Sequence, residues 1–203
     1  MDFNKEMELI IEKLQTKPKL LLHSCCAPCS SHCLLSLAPY FEITVFYYNP
    51  NISPLSEYDK RVIEQKRFID EINQEFGYNI LYVDSPYDNT PFYDTIKGQE
   101  NLKEGQARCY NCYHLRLEET ARFAKENQFD YFCTTLSVSP YKNSTWINEI
   151  GKELEKQYNI SFLPSDFKKK EGYKHSISLS KQYNLYRQHY CGCEFSRRDE
   201  NEK

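Results

Sequence analysis

The sequence is short of glycine, with six glycines in 203 residues, and the first of them is Gly77. Loops that cradle phosphate after the first strand of a nucleotide-binding domain need glycine, because their backbone must approach the phosphate closely. The first predicted strand of this chain ends near residue 23. A glycine phosphate loop after that strand is therefore excluded.

Long apolar runs are also missing. The longest largely apolar stretch covers residues 43–48, far short of the roughly 20 residues that span a bilayer. Residues 1–6 are polar and partly acidic, whereas a signal peptide starts with basic residues and continues with an apolar run. We therefore expect no membrane partner and a cytoplasmic location.

An excess of positive charge is absent as well. The chain has 26 Lys and Arg against 29 Asp and Glu, which gives a formal net charge of -3. This balance excludes a uniformly basic nucleic-acid binder but is compatible with a local basic patch.

Cysteine, by contrast, is abundant, with nine residues. In a reducing cytoplasm, many cysteines favour metal or redox chemistry over a disulfide scaffold. Because nine is an odd number, at least one thiol stays outside any pairing scheme.

Short apolar runs alternate with amphipathic segments along the chain, which predicts one α/β domain with a largely parallel sheet flanked by helices. The predicted strands cover residues 19–23, 43–48, 79–83 and 130–136, and the predicted helices cover 2–15, 28–37, 56–75, 109–127 and 143–158. Residues 161–203 show little periodicity, so we interpret them as a C-terminal extension of the single domain 1–203. In such sheets, ligands bind at the loops that follow the carboxyl ends of the strands.

Three thiols, Cys25, Cys26 and Cys29, occupy the loop after the first predicted strand, and Cys109 and Cys112 form a second group at i and i+3. Amide groups at a helix start lower the pKa of a thiol and favour the metal-binding thiolate. Four or five thiolates suit either a [4Fe–4S] cluster or a four-cysteine zinc site. The adjacent Cys25-Cys26 pair favours the cluster, because a cubane offers separate irons to neighbouring thiolates.

A third thiol group is Cys191-Gly192-Cys193, in which Gly192 supplies the backbone freedom that a very small disulfide ring requires. Strained disulfides of this kind tend to be labile and catalytic. Extra metal ligands, or thiols that never pair, fit the same motif. We assign Cys33 and Cys133 to packing in the core.

Basic residues and tyrosines are interleaved in the C-terminal extension. Cations beside aromatic rings bind single-stranded RNA, although a solvated lysine run would show the same pattern. The candidate substrate-binding residues are Lys168, Lys169, Lys170, Lys174 and Arg187.

Motifs along nearly the whole chain resemble the cobalamin-independent epoxyqueuosine reductases of tRNA queuosine biosynthesis. The matching segments are His23-Ser24-Cys25-Cys26-Ala27-Pro28-Cys29-Ser30, Tyr48-Asn49-Pro50-Asn51-Ile52, Ala107-Arg108-Cys109-Tyr110-Asn111-Cys112-Tyr113, Ser139-Pro140-Tyr141-Lys142 and residues 185–196, which contain the CxC pair.

The resemblance implies a [4Fe–4S] cluster on Cys25, Cys26, Cys109 and Cys112, a redox-active pair at Cys191 and Cys193, and an additional mononuclear iron. We take Cys29 as the candidate ligand of that second iron. The implied fold resembles the HUP/PP-loop nucleotide-binding fold of tRNA-thiolating enzymes, with a cysteine loop in place of the phosphate loop.

The implied reaction removes the epoxide oxygen of epoxyqueuosine at the tRNA wobble position, in the last step of queuosine biosynthesis. It takes two electrons and two protons and gives an alkene and water. The implied partners are tRNA that carries epoxyqueuosine in its anticodon loop and an unidentified electron donor.

Two other functions fit parts of the sequence. A tRNA-thiolating enzyme shares the fold class, but its ATP step is disfavoured by the glycine-free first loop. A zinc-stabilised RNA-binding module would use the same thiols without catalysis, and would be colourless where an iron protein is brown.

Overall fold

The computed structural model describes residues 2–197, in which helices alternate with strands. In chain order these are α1 (Phe3–Ile11), β1 (Lys19–His23), α2 (Ala27–Leu37), β2 (Glu42–Tyr47), α3 (Leu55–Phe76), β3 (Leu81–Asp84), α4 (Thr90–Ile96), α5 (Ala107–Glu126), β4 (Tyr131–Thr134), α6 (Ser144–Tyr158), β5 (Ser161–Phe162) and α7 (Gly172–Gln182). Short 3₁₀ turns cover Thr135–Val138 and Glu194–Ser196. The α/β fold class predicted from the sequence is confirmed.

The five strands form one parallel sheet in the order β3-β2-β1-β4-β5. β1 is the central strand, and its Leu22 lies opposite Val45 of β2 and Cys133 of β4. Since all strands run in one direction, the loops after β1, β2 and β4 leave the same edge of the sheet. That edge carries the candidate site.

Helices cover both faces of the sheet and bury a core on each side. Leu20 and Leu22 pack into the core that includes α2, α3 and α7, whereas Leu21 packs into the opposite core with α5 and α6. This alternation follows from the two-residue period of a strand. It explains why the whole run of three leucines is fully buried.

Two parts of the chain differ from the sequence prediction. The strand expected over residues 130–136 ends at Thr134, whose side chain accepts a hydrogen bond from the Leu136 amide and starts a 3₁₀ turn. α4 was not predicted, and residues 161–197 contain β5 and α7, which packs against α2. The sequence signal of α7 is weak because small serines occupy much of its buried face. Residues 198–203 of the predicted extension lie outside the described residues.

The packing role predicted for Cys33 and Cys133 is confirmed, since both are fully buried in one core. Within residues 2–197, no helix is long and apolar enough to cross a membrane.

Candidate metal centre and adjoining cavity

The loop between β1 and α2 gathers three thiols. Cys26 is the N-cap of α2, and Pro28 lies in its first turn, where a missing N–H costs nothing. The Sγ atoms of Cys25 and Cys26 lie 3.9 Å apart, and those of Cys25, Cys26 and Cys29 all lie within 4.8 Å of one another. Within the described part of the chain, this is the one group of at least three Cys, His or acidic side chains at such spacing.

The three thiols of this group differ in acidity. Hydrogen bonds from the Cys26 and Cys29 thiols hold the pKa of Cys25 well below its ordinary value, and the nearby charges of Arg116 and Lys142 act in the same direction. Donation to Cys25 raises the pKa of both Cys26 and Cys29, and burial adds to the rise. One thiolate thus forms first, at the N-terminus of α2, where the helix dipole also favours it.

The second thiol group lies at the N-terminus of α5. Cys109 and Cys112 share one face of this helix, as the i, i+3 spacing predicted, and the Gly105 amide donates to Cys109 Sγ at 3.2 Å. Cys112 is buried against Phe92 and Cys193. The structure does not bring Cys109 or Cys112 within 4.8 Å of all three thiols of the β1–α2 loop.

The third group, Cys191 and Cys193, lies beside the second, and both thiols are free. A hydrogen bond from Cys193 holds the pKa of Cys191 well below its ordinary value, and the Cys191 Sγ lies 3.0 Å from Ser196 Oγ. Gly192 between them has a φ of 105°, and a Cβ there would lie 2.7 Å from Ile52 Cγ1. Only glycine fits this turn of the CxC segment.

Helix α3 holds the segment that carries the CxC pair, residues 183–197, which we call the C-terminal arm. The buried Arg61 donates to the carbonyl oxygens of Cys191 at 3.2 Å and Tyr190 at 3.4 Å. One helical turn later, Glu64 accepts from the Tyr186 amide at 2.6 Å. These contacts fix the arm to charged side chains of α3.

A buried arginine of α5 connects the thiols to the sheet. Arg116 donates to Asn49 Oδ1 at 2.7 Å and to His23 Nε2 at 3.3 Å, and its Nη1 lies 4.0 Å from Cys112 Sγ. Burial, with Arg116 as the second cause, lowers the pKa of His23 to about 3, so His23 is neutral. Arg116 was not predicted as a site residue, because an arginine inside a charged helix shows no distinctive spacing in the sequence.

A cavity of about 350 Å³ opens beside the thiols. Its floor includes Cys25, Cys26, Cys29 and Cys191, and its wall includes Arg61 and Lys142. Tyr141, which is 59% exposed, lies on its lining with Tyr173 and Tyr190. Lys142 also borders a narrow gap of about 20 Å³ that touches Cys109, Cys112 and Cys193, so it lies between the thiol groups.

Of the five basic residues predicted to bind substrate, the structure places one at the cavity and four outside its lining. Arg187 lines the cavity and donates to Ser180 Oγ at 3.1 Å. The lysines are not among the lining residues: Lys168 pairs with Asp166, Lys170 with Glu8 and Lys174 with Glu171, while Lys169 is exposed.

The sequence is similar to a family model and to proteins of known name. Residues 20–199 match the family model described as "Epoxyqueuosine reductase QueH". A relative of that name from Staphylococcus aureus is 40% identical over 201 residues, covering 97% of this chain and 84% of its own. One from Thermotoga maritima is 38% identical over 185 residues, covering 91% of this chain and 93% of its own.

Among solved structures, the chain is similar to the U34-tRNA thiolase NcsA from Methanococcus maripaludis with its [4Fe-4S] cluster. The TM-score is 0.56 at 15% identity, over 97% of this chain and 69% of the thiolase. At that identity the likeness shows the fold. It confirms the predicted resemblance to tRNA-thiolating enzymes at the level of architecture.

Proposed function

The chain belongs to the epoxyqueuosine reductase QueH family, and from that premise we propose how its thiols and cavity reduce epoxyqueuosine to queuosine in tRNA. The family expected from the sequence motifs is confirmed, and with it an oxidoreductase that acts on tRNA. The single observation that carries the site assignment is that the three thiol groups border two adjoining spaces at the carboxyl edge of the sheet, the cavity and the narrow gap, and that Cys191 lines both.

The reaction removes one oxygen and therefore consumes two electrons and two protons. The reduced pair of Cys191 and Cys193 can supply the two electrons: it becomes a disulfide as the epoxide becomes an alkene and water. Both thiols are free, and the low pKa of Cys191 favours its reactive thiolate. We assign these two residues as the redox-active pair, which an unidentified electron donor reduces after each turnover.

The chemistry of the site fits an iron–sulfur cluster. The donors are thiols without carboxylates, which is the soft ligand set that such clusters take. We assign Cys25, Cys26, Cys109 and Cys112 as the ligands, because both pairs lie at helix N-termini that favour thiolates. When bound, the cluster would supply one-electron chemistry next to the dithiol.

Cys29 is assigned to an additional mononuclear iron. Its Sγ lies within 4.8 Å of Cys25 and Cys26, and it lines the cavity. Iron held there would supply Lewis-acid chemistry for an epoxide oxygen.

We assign the cavity to the modified base and the surface around it to the anticodon loop. Arg187 at the cavity and the tyrosines of its lining offer a cation for phosphate and rings for stacking. Lys168, Lys169, Lys170 and Lys174 extend this surface along the C-terminal extension, residues 161–203. The pairs of Lys170 and Lys174 are exposed, so these lysines exchange carboxylates for phosphates at little cost.

The test is to purify the protein anaerobically, measure iron and sulfide, and incubate it with tRNA that carries epoxyqueuosine and a reductant. We expect a brown protein with iron and acid-labile sulfide, and a nucleoside that loses one oxygen. A colourless zinc protein without turnover would contradict the proposal, as would a nucleoside that gains sulfur when ATP is added.

A further inference from the structure

Lys142 is a buried cation without a carboxylate partner. The residue is 8% exposed, and among residues 2–197 no carboxylate oxygen lies within ion-pair distance of its ammonium group. Buried charges in proteins are normally paired, and a buried ammonium group at a cavity wall with no carboxylate on it can donate to an anionic or polar ligand.

The surroundings of Lys142 keep it charged. Its Nζ lies 5.6 Å from the centre of the Tyr113 ring. Burial alone would lower the pKa of Lys142, but the nearby Cys191, Tyr113 and Cys25 outweigh that effect and raise it. Lys142 is therefore an ammonium group with three N–H donors at neutral pH.

Two other buried cations near the cavity are already engaged. Arg61 uses its donors on Glu57 and on the carbonyl groups of Tyr190 and Cys191. Arg116 is bound to Asn49 and His23.

Arg187 is an exposed residue of the lining that donates to Ser180 Oγ, and the Tyr190 hydroxyl donates to the carbonyl of Ser53. Lys142 is thus a buried donor in the cavity lining, and its ammonium N–H groups can donate to a bound ligand.

On the basis of the proposed function, we propose that Lys142 is a catalytic residue, which hydrogen-bonds the epoxide oxygen and protonates it. As the first carbon–oxygen bond breaks, the oxygen takes a proton from Nζ and becomes a hydroxyl group. As the second breaks, that group leaves as water with a second proton.

The balance closes within the protein. The Cys191 thiolate and the Cys193 thiol give up two electrons and one proton when they become a disulfide. The Lys142 ammonium group supplies the other proton of the water, and it regains a proton when the electron donor reduces the disulfide again. Epoxide plus dithiol thus gives alkene, disulfide and water.

The test compares Lys142→Met with Lys142→Gln in the iron-loaded protein, with Lys125→Met as the matched control. Lys125 lies in the last turn of α5, at the end of the helix away from Cys109 and Cys112, and it donates to the Asn159 carbonyl. Two quantities are measured: the ratio of dissociation constants for tRNA with queuosine and tRNA with epoxyqueuosine, and disulfide formation in a single turnover.

The wild-type protein should bind the epoxide form more tightly, by about tenfold or more, as expected for a hydrogen bond from a charged donor. Lys142→Met should abolish that preference and slow disulfide formation by about 100-fold or more. Lys142→Gln, which keeps an N–H donor without an acidic proton, should retain part of the preference but not the rate. Lys125→Met should match the wild type in both.

A preference for the epoxide that survives in Lys142→Met would overturn the proposal, and so would wild-type turnover in either variant. Loss of iron from both variants would assign Lys142 to metal retention and overturn it too. If the wild-type protein itself failed to reduce the epoxide, the proposed function would fail instead, which separates the two claims.

Discussion

The guanidinium group of Arg61 donates to the carbonyl oxygen of Cys191 at 3.2 Å, across 130 positions of the sequence. Arg61 is 1% exposed, and its Nε lies 2.7 Å from Glu57 Oε1. A buried ion pair in the first two turns of α3 thus holds the backbone of the CxC pair beside the cavity. The position of the arm depends on charge as well as on packing.

Arg61→Met should release the C-terminal arm. The variant leaves Glu57 without its partner, and loss of one member of a buried pair costs about 3 kcal/mol or more of unfolding free energy. Urea unfolding measures that cost, and limited proteolysis should show cleavage within residues 183–197. Arg122→Met, which removes exposed ion pairs of α5, should cost about 1 kcal/mol or less. An Arg61→Met protein with a protease-resistant arm and full turnover would contradict this role of α3.

Cys109→Ser should lower both bound iron and the visible absorbance of the cluster, because serine does not replace a thiolate ligand of iron. The control is Cys133→Ala, which removes a buried core thiol that contacts Ser165 and the Thr134 carbonyl, and which should leave iron and sulfide unchanged. Full iron and sulfide in Cys109→Ser would show that the ligand set is wrong.

Cys191→Ser should keep the cluster and lose turnover, because the remaining Cys193 cannot form the disulfide. Iron analysis and single-turnover product formation measure the two effects separately. Loss of iron from this variant would instead place the CxC pair among the metal ligands.

Charge reversal of Lys168, Lys169 and Lys170 should weaken tRNA binding without loss of iron. Each bound phosphate contributes about -0.7 to the slope of log affinity against log salt, so the slope should flatten by that amount for every phosphate that the variant no longer binds. Arg187→Gln should flatten the salt slope by about 0.7, the amount for one phosphate. Reversal also breaks the pairs with Asp166 and Glu8, so the Lys→Gln triple variant serves as a control for repulsion. An unchanged affinity and slope in the reversal variant would exclude this surface.

The contact between α2 and α7 should weaken in acid. His32 and His175 approach each other at 3.0 Å between their Nδ1 atoms, and burial, followed by the charge of His175, lowers the pKa of His32 to about 4. In the unfolded chain His32 binds a proton near pH 6.5, whereas in the folded protein it stays neutral down to about pH 4. The contribution of neutral His32 to the free energy of unfolding is therefore lost as the pH falls from about 6.5 to 4. In urea unfolding, His32→Gln should lose less stability than the wild type between pH 7.5 and 4.5. Parallel losses in both proteins would contradict the assignment.

The sequence predicted the central part of the fold because β1, α3, α5 and α6 have strong periodicity and clear ends. It predicted the thiols of the site through their spacing, and the helical phase of Cys109 and Cys112 through the i, i+3 rule. It did not predict α7, whose buried face holds serines, or the short α4. Arg61, Arg116 and Lys142 were assigned no role from sequence, since a charged residue inside a charged helix or loop shows its burial only after folding.

The most direct test of the central claim is a single turnover without any external donor. The reduced, iron-loaded protein is mixed anaerobically with tRNA that carries epoxyqueuosine, and the nucleoside and the thiols are then analysed by mass. We predict one queuosine formed for each disulfide between Cys191 and Cys193. Queuosine formed while both thiols stay reduced, or a disulfide formed while the epoxide persists, would contradict the account.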